Sequence, residues 1–363
     1  MEISVNDRPL VSVVVVNYRS LETLLRCLDS LLKTAYPNFE VIVVDSMTEG
    51  VEEALSKLND RRVKLVHFDR DIGAAASHNV GVLASNPEAE YIAFLDNDTV
   101  VQPDWLTWLV ETISSDPRIG AVQAKVISLS NPGKMDHTGL GMDSVGTWLT
   151  TYGWDHGIFS KPMTIFAASS AAMLTRKSAY LEVWGFDDTY FIYDDDTDYS
   201  WRLRLRGYEV VFDPRAVVFH EDKLEKRVSF EKLYFGYRNR MLNLVKNVES
   251  PGMAVRLMLA LYLGYLNAVL LALAGRGREA IAYCLASLDV LRRLRRYILM
   301  RKLVAALRKV GDRELARRGF TSRGIYATVL MVRALLVRYF KRIKQHPRGR
   351  KVNKIERKPR LAP

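Results

Sequence analysis

The stretch YIAFLDND, Tyr91 to Asp98, is an apolar run that ends abruptly at two carboxylates flanking one amide. Such a run predicts a buried strand that carries Asp96 and Asp98 to the carboxyl end of a sheet, where open α/β sheets bind their ligands. Carboxylate oxygens at that place suit Mg²⁺ or Mn²⁺ carrying a diphosphate. The pattern indicates chemistry on a nucleotide-activated substrate, although Asp and Asn also end strands in ordinary turns.

Short β-branched runs alternate with helical patterns around that stretch. Strands are predicted over Val11–Val16, over the run that ends at Asp45, and over Val63–Phe68, with helices over Leu21–Leu32 and Ala74–Leu83. A further helix is predicted to start near Pro103 and to continue over Trp105–Ile113. Together with the Tyr91 run, this makes four strands alternating with helices before residue 100. The pattern predicts an α/β, doubly wound domain with a mostly parallel sheet.

The pattern loosens between Gly120 and Tyr193. Strands are predicted over Ala121–Leu129 and Met163–Leu174, on either side of a Gly-rich, Trp-containing segment from Gly139 to Gly157. An acceptor pocket could lie in that segment.

A second acidic cluster precedes a helical pattern that Gly207 ends. Asp194, Asp195, Asp196 and Asp198 lie within five residues. Acidic residues in a first turn can simply cap the helix. Four carboxylates exceed what a cap requires, and like charges this close raise one another's pKa, which makes a competent general base.

Charge divides the chain near Ser250. Residues 1–250 hold 26 Lys and Arg against 36 Asp and Glu, whereas residues 251–363 hold 27 against 5. We therefore expect a catalytic domain over 1–250, a basic helical region over 251–345 and a basic tail over 346–363. Two distant cysteines indicate neither a disulfide framework nor a Cys zinc site. The N-terminus shows no signal-peptide pattern, so we expect an intracellular protein.

The basic region contains an uncharged segment of 18 residues, Leu257 to Ala274, at the lower limit for a membrane span. Amphipathic basic patterns follow over 288–310 and 325–344. These features favour an anionic membrane surface as a partner, with in-plane attachment preferred to a single spanning helix. Helical dimerisation and nonspecific polyanion binding remain alternatives, and no motif that reads nucleic acid accompanies the charge.

The ordered set of motifs resembles the inverting GT-A glycosyltransferases of family 2, in particular their rhamnosyltransferase-like branch. The resemblance covers Val11 to Asn247, and its motifs are VSVVVVNY (11–18), VIVVDS (41–46), DIGAAASHNVG (71–81), FLDND (94–98), GFDDTYFIYDDDTDYSWRLRLRGY (185–208), the strand ending at His220, and YFGYRNRMLNLVKN (234–247). It implies a Rossmann-like GT-A sheet and transfer of a sugar from a nucleotide donor.

The resemblance also implies roles for single residues. Nucleotide-sugar contacts fall on Asn17, Asn79, Asp45 at the base and Asp96 at the ribose. Asp98 becomes a metal ligand, with His220 and Asp96 beside it, although a lone His is by itself more often structural. Asp196 is the expected general base and Asp195 its alternate, while Asp198 would help to start the following helix. Trp184, Arg238 and Arg240 would face the acceptor or the diphosphate, unless the arginines pair with the acidic domain.

Three departures from the family pattern affect these expectations. Asp45 is followed by Ser46-Met47-Thr48-Glu49 in place of the usual Asn and turn. This departure leaves open which nucleotide base the site prefers. Trp184 replaces a frequent Gly, and Asp71 replaces a frequent Asn.

The predicted function is therefore inverting transfer of a sugar from a UDP-, dTDP- or GDP-sugar donor to an acceptor hydroxyl, using Mg²⁺ or Mn²⁺ and an Asp base. The acceptor is expected to be a lipid-linked or other glycan at the cytoplasmic face of the cell membrane. The alternative is a non-catalytic, membrane-associated binding protein with a degenerate domain. A processive synthase is disfavoured because neither several spanning helices nor a Gln-x-x-Arg-Trp motif is found. Oligomers are possible.

Overall fold

The computed structural model describes residues 8–135, 138–150, 153–154, 159–221, 229–249, 252–322, 324–325 and 329. The predicted boundary at 250–251, most of the helix predicted over 325–344 and the tail over 346–363 lie outside the described residues.

The first part of the chain alternates strands and helices as the apolar pattern predicts. The strands are β1 (Val11–Tyr18), β2 (Phe39–Ser46), β3 (Val63–Phe68), β4 (Tyr91–Asp96) and β5 (Thr99–Val101). The helices are α1 (Leu21–Leu31), α2 (Val51–Leu58), α3 (Ala74–Ala84) and α4 (Trp105–Ser114). Only α2 and the short β5 have no counterpart in the prediction.

The later part is less regular. Its strands are β6 (Ile119–Ser128), β7 (Lys134–Met135), β8 (Gly139–Met142), β9 (Trp148–Thr150), β10 (Gly153–Trp154), β11 (Met163–Thr164), β12 (Ala172–Arg176) and β13 (Glu209–His220). Its helices are α5 (Lys177–Glu182), α6 (Asp195–Arg206), α7 (Phe230–Asn247), α8 (Gly252–Leu273), α9 (Gly277–Leu307) and α10 (Asp312–Arg317).

The single strand predicted over Met163–Leu174 is wrong in its middle. Residues 165–171 lie between β11 and β12 and belong to neither strand. Their amides find other partners: Phe166 donates to the Gly139 carbonyl, and Ser169 donates to the Gln123 side chain. This departure from strand geometry places Ser170 beside the second acidic cluster.

One mixed sheet organises the domain, with the order β10–β7–β6–β12–β4–β1–β2–β3. β1 pairs in parallel with β2 and β4, and β2 pairs in parallel with β3. β12 is antiparallel to both β4 and β6, and β13 lies parallel to β6. The carboxyl ends of β1 to β4 therefore meet at one edge of the sheet.

Both faces of the central strands are buried, which explains their continuous Val and Ile runs. Val13, Val41 and Leu95 pack with α1 and α4 in one apolar cluster. Val14 and Ile42 point to the opposite side and pack with residues of α3 and α6. The sheet thus lies between two helical layers, which is the α/β class that the sequence predicts.

The helices on either side of residue 250 pack together. Met241 and Val245 of α7 share a core with Val290 and Tyr297 of α9. α8 adds a narrow inner face of Leu257, Ala260, Gly264 and Ala268. The basic helical region is therefore continuous in packing with the helix that ends the acidic part of the chain.

We predict that Gly81→Ala destabilises the fold by about 1–3 kcal/mol because a Cβ at Gly81 would lie 2.2 Å from Cγ1 of Val14 on β1. Gly236→Ala is the matched control, since no described atom lies within 4 Å of the added carbon on α7. There, removing glycine from a helix should stabilise by about 0.5–1 kcal/mol. Chemical denaturation of both variants measures the change in the free energy of unfolding, which should be negative for Gly81→Ala and positive for Gly236→Ala. Equal changes in the two variants would contradict the close packing of α3 on β1.

Candidate active site

Two strands bring three candidate metal ligands together. Asp96 ends β4 and Asp98 follows it, while His220 ends β13, which pairs with β5 so that His220 lies opposite Thr99. His220 Nε2 lies 3.0 Å from Asp98 Oδ1 and 3.9 Å from Asp96 Oδ2. One ligand atom from each residue can be chosen so that all lie within 4.8 Å of one another. The residues predicted from distant parts of the sequence thus form one cluster.

The chemistry of this donor set fits a divalent metal. Two carboxylates and one imidazole offer oxygen and nitrogen ligands, a combination that Mn²⁺ accepts and that Mg²⁺ accepts chiefly through the oxygens. Asp98 is buried, whereas the Asp96 side chain is 40% exposed. A metal held here would therefore face solvent, and a bound substrate, on the Asp96 side.

A row of polar side chains crosses the same sheet edge on β1, β2 and β3. Asn17 lies opposite Asp45, and Asp45 lies opposite His67. The Asn17 amide donates to Asp45 Oδ1 at 2.5 Å, and His67 Nδ1 lies 2.7 Å from Asp45 Oδ2. The amide of Thr48 completes the set of groups around that carboxylate at 3.2 Å.

Asp45, which the resemblance places at the nucleotide base, lies at the centre of this row. The Asp45 side chain is fully buried beneath Asn17 and His67, whereas the His67 side chain is 24% exposed. The hydrogen bond to Asp45 also raises the pKa of His67. His67 is the member of the row that a base could reach. The sequence analysis missed it, although it ends the apolar pattern of β3 one residue before Phe68.

Asn97, the amide between the two carboxylates, turns inward. Its Nδ2 donates to Asn17 Oδ1 and to Thr23 Oγ1, the latter at 3.0 Å. With the middle residue of the motif fixed in this way, Asp96 and Asp98 are left to point toward His220. The Asn17 amide thus supports both the metal cluster and the Asp45 row.

The second acidic cluster begins α6 and reaches the same edge through residues 169–171. The Ser170 amide donates to Asp196 Oδ2 at 3.3 Å, and the Asp96 amide donates to the Ala171 carbonyl at 3.2 Å. Two adjacent residues of one segment therefore connect the two acidic clusters. Burial raises the pKa of Asp196 to about 8, and the charges of Asp195 and Asp194 add to the effect.

Asp195 and Asp198 are both buried and have other partners. Asp195 is buried, and its Oδ2 lies 3.7 Å from His78 Nδ1. Asp198 is buried between two cations: its Oδ2 lies 2.8 Å from Arg202 Nη2 and 3.0 Å from Lys246 Nζ. Asp198 lies in the first turn of α6, as predicted, and it is in addition the centre of an ion-pair network that joins α6 to α7.

Two further residues of the predicted site, Asn79 and Arg238, form hydrogen bonds to the backbone. Asn79 lies on α3, where its amide donates to the Phe186 carbonyl at 2.9 Å and its oxygen accepts from the Phe186 amide at 3.0 Å. Arg238 is buried, and it donates to the carbonyls of Thr189 and Tyr190 at 2.9 and 2.8 Å. Both side chains bind backbone groups of residues 186–190.

Arg240 and Trp184 lie in two different places. Arg240 donates to Thr147 Oγ1 at 3.3 Å, beside the Gly-rich segment that could hold an acceptor. Trp184 is 52% exposed and has a φ of 66°. It borders a groove of about 280 Å³ whose other walls include Asp188 and, from α9, Met300 and Leu303.

Part of the chain matches a known family model. Residues 12–184 match the family model described as Glycosyl transferase family 2. The match includes β1 to β4, Asp96, Asp98 and the segment that contacts Asp196. It supports a family 2 glycosyltransferase, whereas the rhamnosyltransferase-like branch stays a prediction.

Curated relatives are similar over the same part of the chain. The O-antigen biosynthesis protein RfbC of Myxococcus xanthus is 29% identical over 237 residues, which cover 61% of this chain and 18% of the relative. The poly-β-1,6-N-acetyl-D-glucosamine synthase of Staphylococcus aureus strain COL is 26% identical over 222 residues, covering 60% of this chain and 51% of the relative. The chain thus spans about half, or less, of the length of these relatives.

Solved structures confirm the GT-A-like fold. The mannosyltransferase PcManGT of Pyrobaculum calidifontis, in complex with GDP-Man and Mn²⁺, has a TM-score of 0.50 and 18% identity, covering 83% of this chain and 86% of its own. GalNAc-T7, with UDP, GalNAc and Mn²⁺, has a TM-score of 0.51 and 19% identity, covering 61% and 44%. At these identities the likeness is one of fold.

We predict that Asp198→Asn lowers the free energy of unfolding by about 3–5 kcal/mol, because it leaves Arg202 and Lys246 with an incomplete buried countercharge. Burial alone would raise the pKa of Asp198, but the two cations lower it to about 2. The stabilisation should therefore be fully present above about pH 4, the unfolded value, and should be lost as the pH falls toward 2. Chemical denaturation of the unmodified protein and of Asp198→Asn from pH 7 to pH 2 measures the difference in their free energies of unfolding. Substitution of an exposed carboxylate, Asp188→Asn, is the control. A difference in the free energy of unfolding that stays constant from pH 7 to pH 2 would contradict the ion-pair assignment.

Proposed function

We propose that the protein transfers a sugar from a nucleoside diphosphate donor to an acceptor hydroxyl with inversion at the anomeric carbon. One observation carries the proposal. The metal-ligand cluster of Asp96, Asp98 and His220 lies at the same sheet edge as Asp196, and residues 170–171 contact both. An inverting displacement requires two such groups, one beside the leaving diphosphate and one beside the attacking hydroxyl.

Asp96, Asp98 and His220 would hold Mg²⁺ or Mn²⁺, which when bound neutralises charge on the departing diphosphate. Asp96 is the partly exposed carboxylate of the three, which suits a residue that also approaches the donor's ribose. At the other end of this edge, His67 is the partly exposed group that would contact the nucleotide base. Asp45 and Asn17 would orient the imidazole from below.

Asp196 would accept the proton of the acceptor hydroxyl as oxygen attacks the anomeric carbon. A carboxylate with a pKa near 8 is a much stronger base than an ordinary aspartate, because burial and two neighbouring acids disfavour its charge. Transfer should therefore increase as the pH rises through that range and Asp196 loses its proton. Asp195 would tune this basicity, while its burial beside His78 keeps it from the acceptor.

The acceptor is proposed to be a lipid-linked glycan at the cytoplasmic face of the membrane. α8 is the one helix of the described residues that is long and apolar enough to cross a bilayer, and only 22% of its apolar window is buried. Its outer side carries large exposed apolar residues, namely Val255, Met258, Tyr262, Tyr265, Leu266, Val269, Leu270 and Leu273. Exposed arginines 292, 293, 295 and 296 on α9 would contact anionic lipid.

In-plane attachment fits this packing better than a span does. The inner face of α8 is fixed to α7, where the Tyr237 hydroxyl donates to the Ala260 carbonyl at 2.8 Å and lies directly over Gly264. α7 in turn binds the polar loops of the active site. A helix held by a water-facing domain on one side can immerse only its other side in the leaflet.

We predict that Asp196→Asn abolishes transfer while preserving Mn²⁺-dependent binding of a nucleoside diphosphate. The amide keeps the size of the side chain but cannot accept the proton. Asp98→Asn is the matched variant on the metal side, and it should weaken the same binding by at least tenfold. Calorimetric titration with UDP, dTDP and GDP measures the binding of each variant. Transfer assays across pH 6–9 then measure the turnover of each variant. Near-normal turnover of Asp196→Asn would refute its assignment as the base.

We predict that the protein sediments with vesicles of phosphatidylcholine and phosphatidylglycerol, and that Met258→Glu combined with Tyr265→Glu lowers the bound fraction at least tenfold. Two carboxylates on the outer face of α8 would be repelled by anionic lipid and would have to enter an apolar layer. Leu181→Glu, an exposed apolar residue of α5, is the control and should bind normally. Unchanged sedimentation of the double variant would exclude this face, and a change in mass without vesicles would indicate contact between copies instead.

A further inference from the structure

The chain enters the second acidic cluster through a strained turn, residues 190–194. Phe191 has φ 66° and ψ −61°, and the Ile192 amide donates to the Tyr190 carbonyl at 2.8 Å, which together form the rare γ-turn with positive φ. Tyr193 and Asp194 follow with φ values of 69° and 59°. Three non-glycine residues in such conformations persist only where their surroundings hold them, and such turns cluster at active sites.

Helix α7 supplies the groups that hold this turn. Asn239 Nδ2 donates to the carbonyls of Tyr190, Ile192 and Tyr193 at 3.0, 2.8 and 2.7 Å. Its neighbour Arg238 binds the carbonyls of Thr189 and Tyr190, as described above. One helix thus gathers the carbonyl groups that the unusual backbone directs to one side.

Burial makes these hydrogen bonds difficult to replace. Asn239 is fully buried, so the carbonyls would lose their donors without gaining water if its side chain were removed. The Arg238 side chain lies over the Phe235 ring, which in turn stacks on Phe191 with centroids 5.3 Å apart. The turn is therefore fixed by polar and by aromatic contacts from the same helix.

The opposite side of the turn meets the start of α3. The Phe191 carbonyl accepts from the Ala75 amide at 3.3 Å. The Phe191 ring lies against Gly73, where an added Cβ would be 2.6 Å away. The turn is wedged between α3 and α7, and Asp195 and Asp196 follow it directly.

We propose that Asn239 is a positioning residue for the reaction: it clamps the turn over residues 190–194 so that Asp196 enters α6 at the edge that carries the metal ligands. Asn239 touches neither donor nor acceptor, because its amide is buried against the turn. The proposal rests on the proposed role of Asp196 as base for its catalytic readout. It also explains why the neighbouring Arg238 is buried, although the sequence predicts it at the diphosphate.

The clamp should affect the pKa of the Asp196 carboxyl group. Asp194 and Asp195 are the charged neighbours that raise its pKa together with burial, and His78 lies behind Asp195. A relaxed turn would let the first residues of α6 move outward and would hydrate the Asp196 carboxylate. The pKa of Asp196 would then fall toward the ordinary aspartate value of about 4.

The test compares Asn239→Ala with the intact full chain. Carbon-13 NMR of protein labelled at the Asp carboxyl carbons measures the titration of Asp196, whose signal is the one absent from Asp196→Asn. We expect the midpoint to move from near pH 8 to below pH 6 in Asn239→Ala. We also expect kcat to fall at least 100-fold, while the Kd values of UDP and GDP with Mn²⁺ change less than threefold.

Leu242→Ala is the control for simple loss of stability. Leu242 is a buried residue of α7 whose side chain donates no hydrogen bond. It should lower the melting temperature but leave the Asp196 titration and the pH profile of kcat unchanged. An unshifted titration in Asn239→Ala, or an equal shift in Leu242→Ala, would overturn the clamp.

A second background covers the case in which Asn239→Ala does not fold. Glycine adopts a φ of 69° without strain, so adding Tyr193→Gly should restore folding and part of the turnover to Asn239→Ala. If Tyr193→Gly restores neither folding nor turnover to Asn239→Ala, while Leu242→Ala is folded and active, the result would count against a clamp on a strained turn. If the unmodified protein binds no nucleoside diphosphate, the proposed function fails, whereas the titration still tests the clamp.

Discussion

The buried carboxylate of Asp198 is the constraint on which the rest of the active edge depends. It lies two residues after Asp196, and it contacts Arg202 on its own helix and Lys246 on α7. Lys246 also binds Asp187 at 2.5 Å, so the network reaches the loop that begins with Trp184. A buried charge cannot shift without exposing its partners, and this fixes the helix that carries the proposed base.

The two sides of the site are built in different ways. On the donor side, positions follow from strand register, since Asn17, Asp45 and His67 lie opposite one another on adjacent parallel strands and His220 lies opposite Thr99. On the base side, no strand delivers Asp196. Its position depends on α7, which contacts the turn over 190–194 that precedes Asp196 and the Asp198 ion-pair network that follows it. Strand register fixes the donor side once the sheet has formed, whereas the base side requires side-chain contacts with α7, such as the one between Asp198 and Lys246, 48 positions apart.

This difference explains how much the sequence could predict. The strands β1 to β4, and the place of Asp96 and Asp98 at the carboxyl end of the sheet, could be predicted because alternating apolar runs imply a parallel sheet whose carboxyl ends meet. The role of His220 as a metal ligand is implied only by the family resemblance, since a lone His is by itself more often structural. The burial of Asp45 could not be predicted, because it depends on His67 reaching across from β3. The family motif places Arg238 and Asn79 at ligands, but Arg238 binds the carbonyls of Thr189 and Tyr190 and Asn79 binds the backbone of Phe186, contacts that no periodicity reveals. Asp198 looked like a helix cap because its cationic partner Lys246 is 48 residues away.

The same helix that holds the acidic cluster also carries the proposed membrane face. α7 contacts the active-site turn through Arg238 and Asn239, and it contacts α8 through Tyr237, which directly precedes them. Adjacent residues on a helix point in different directions, so α7 can bind the turn on one side and α8 on another. The orientation of α8 in a leaflet would therefore fix the orientation of Asp196 above it. A lipid-linked acceptor in that leaflet would then present its hydroxyl to a base whose distance from the membrane is set by side-chain packing.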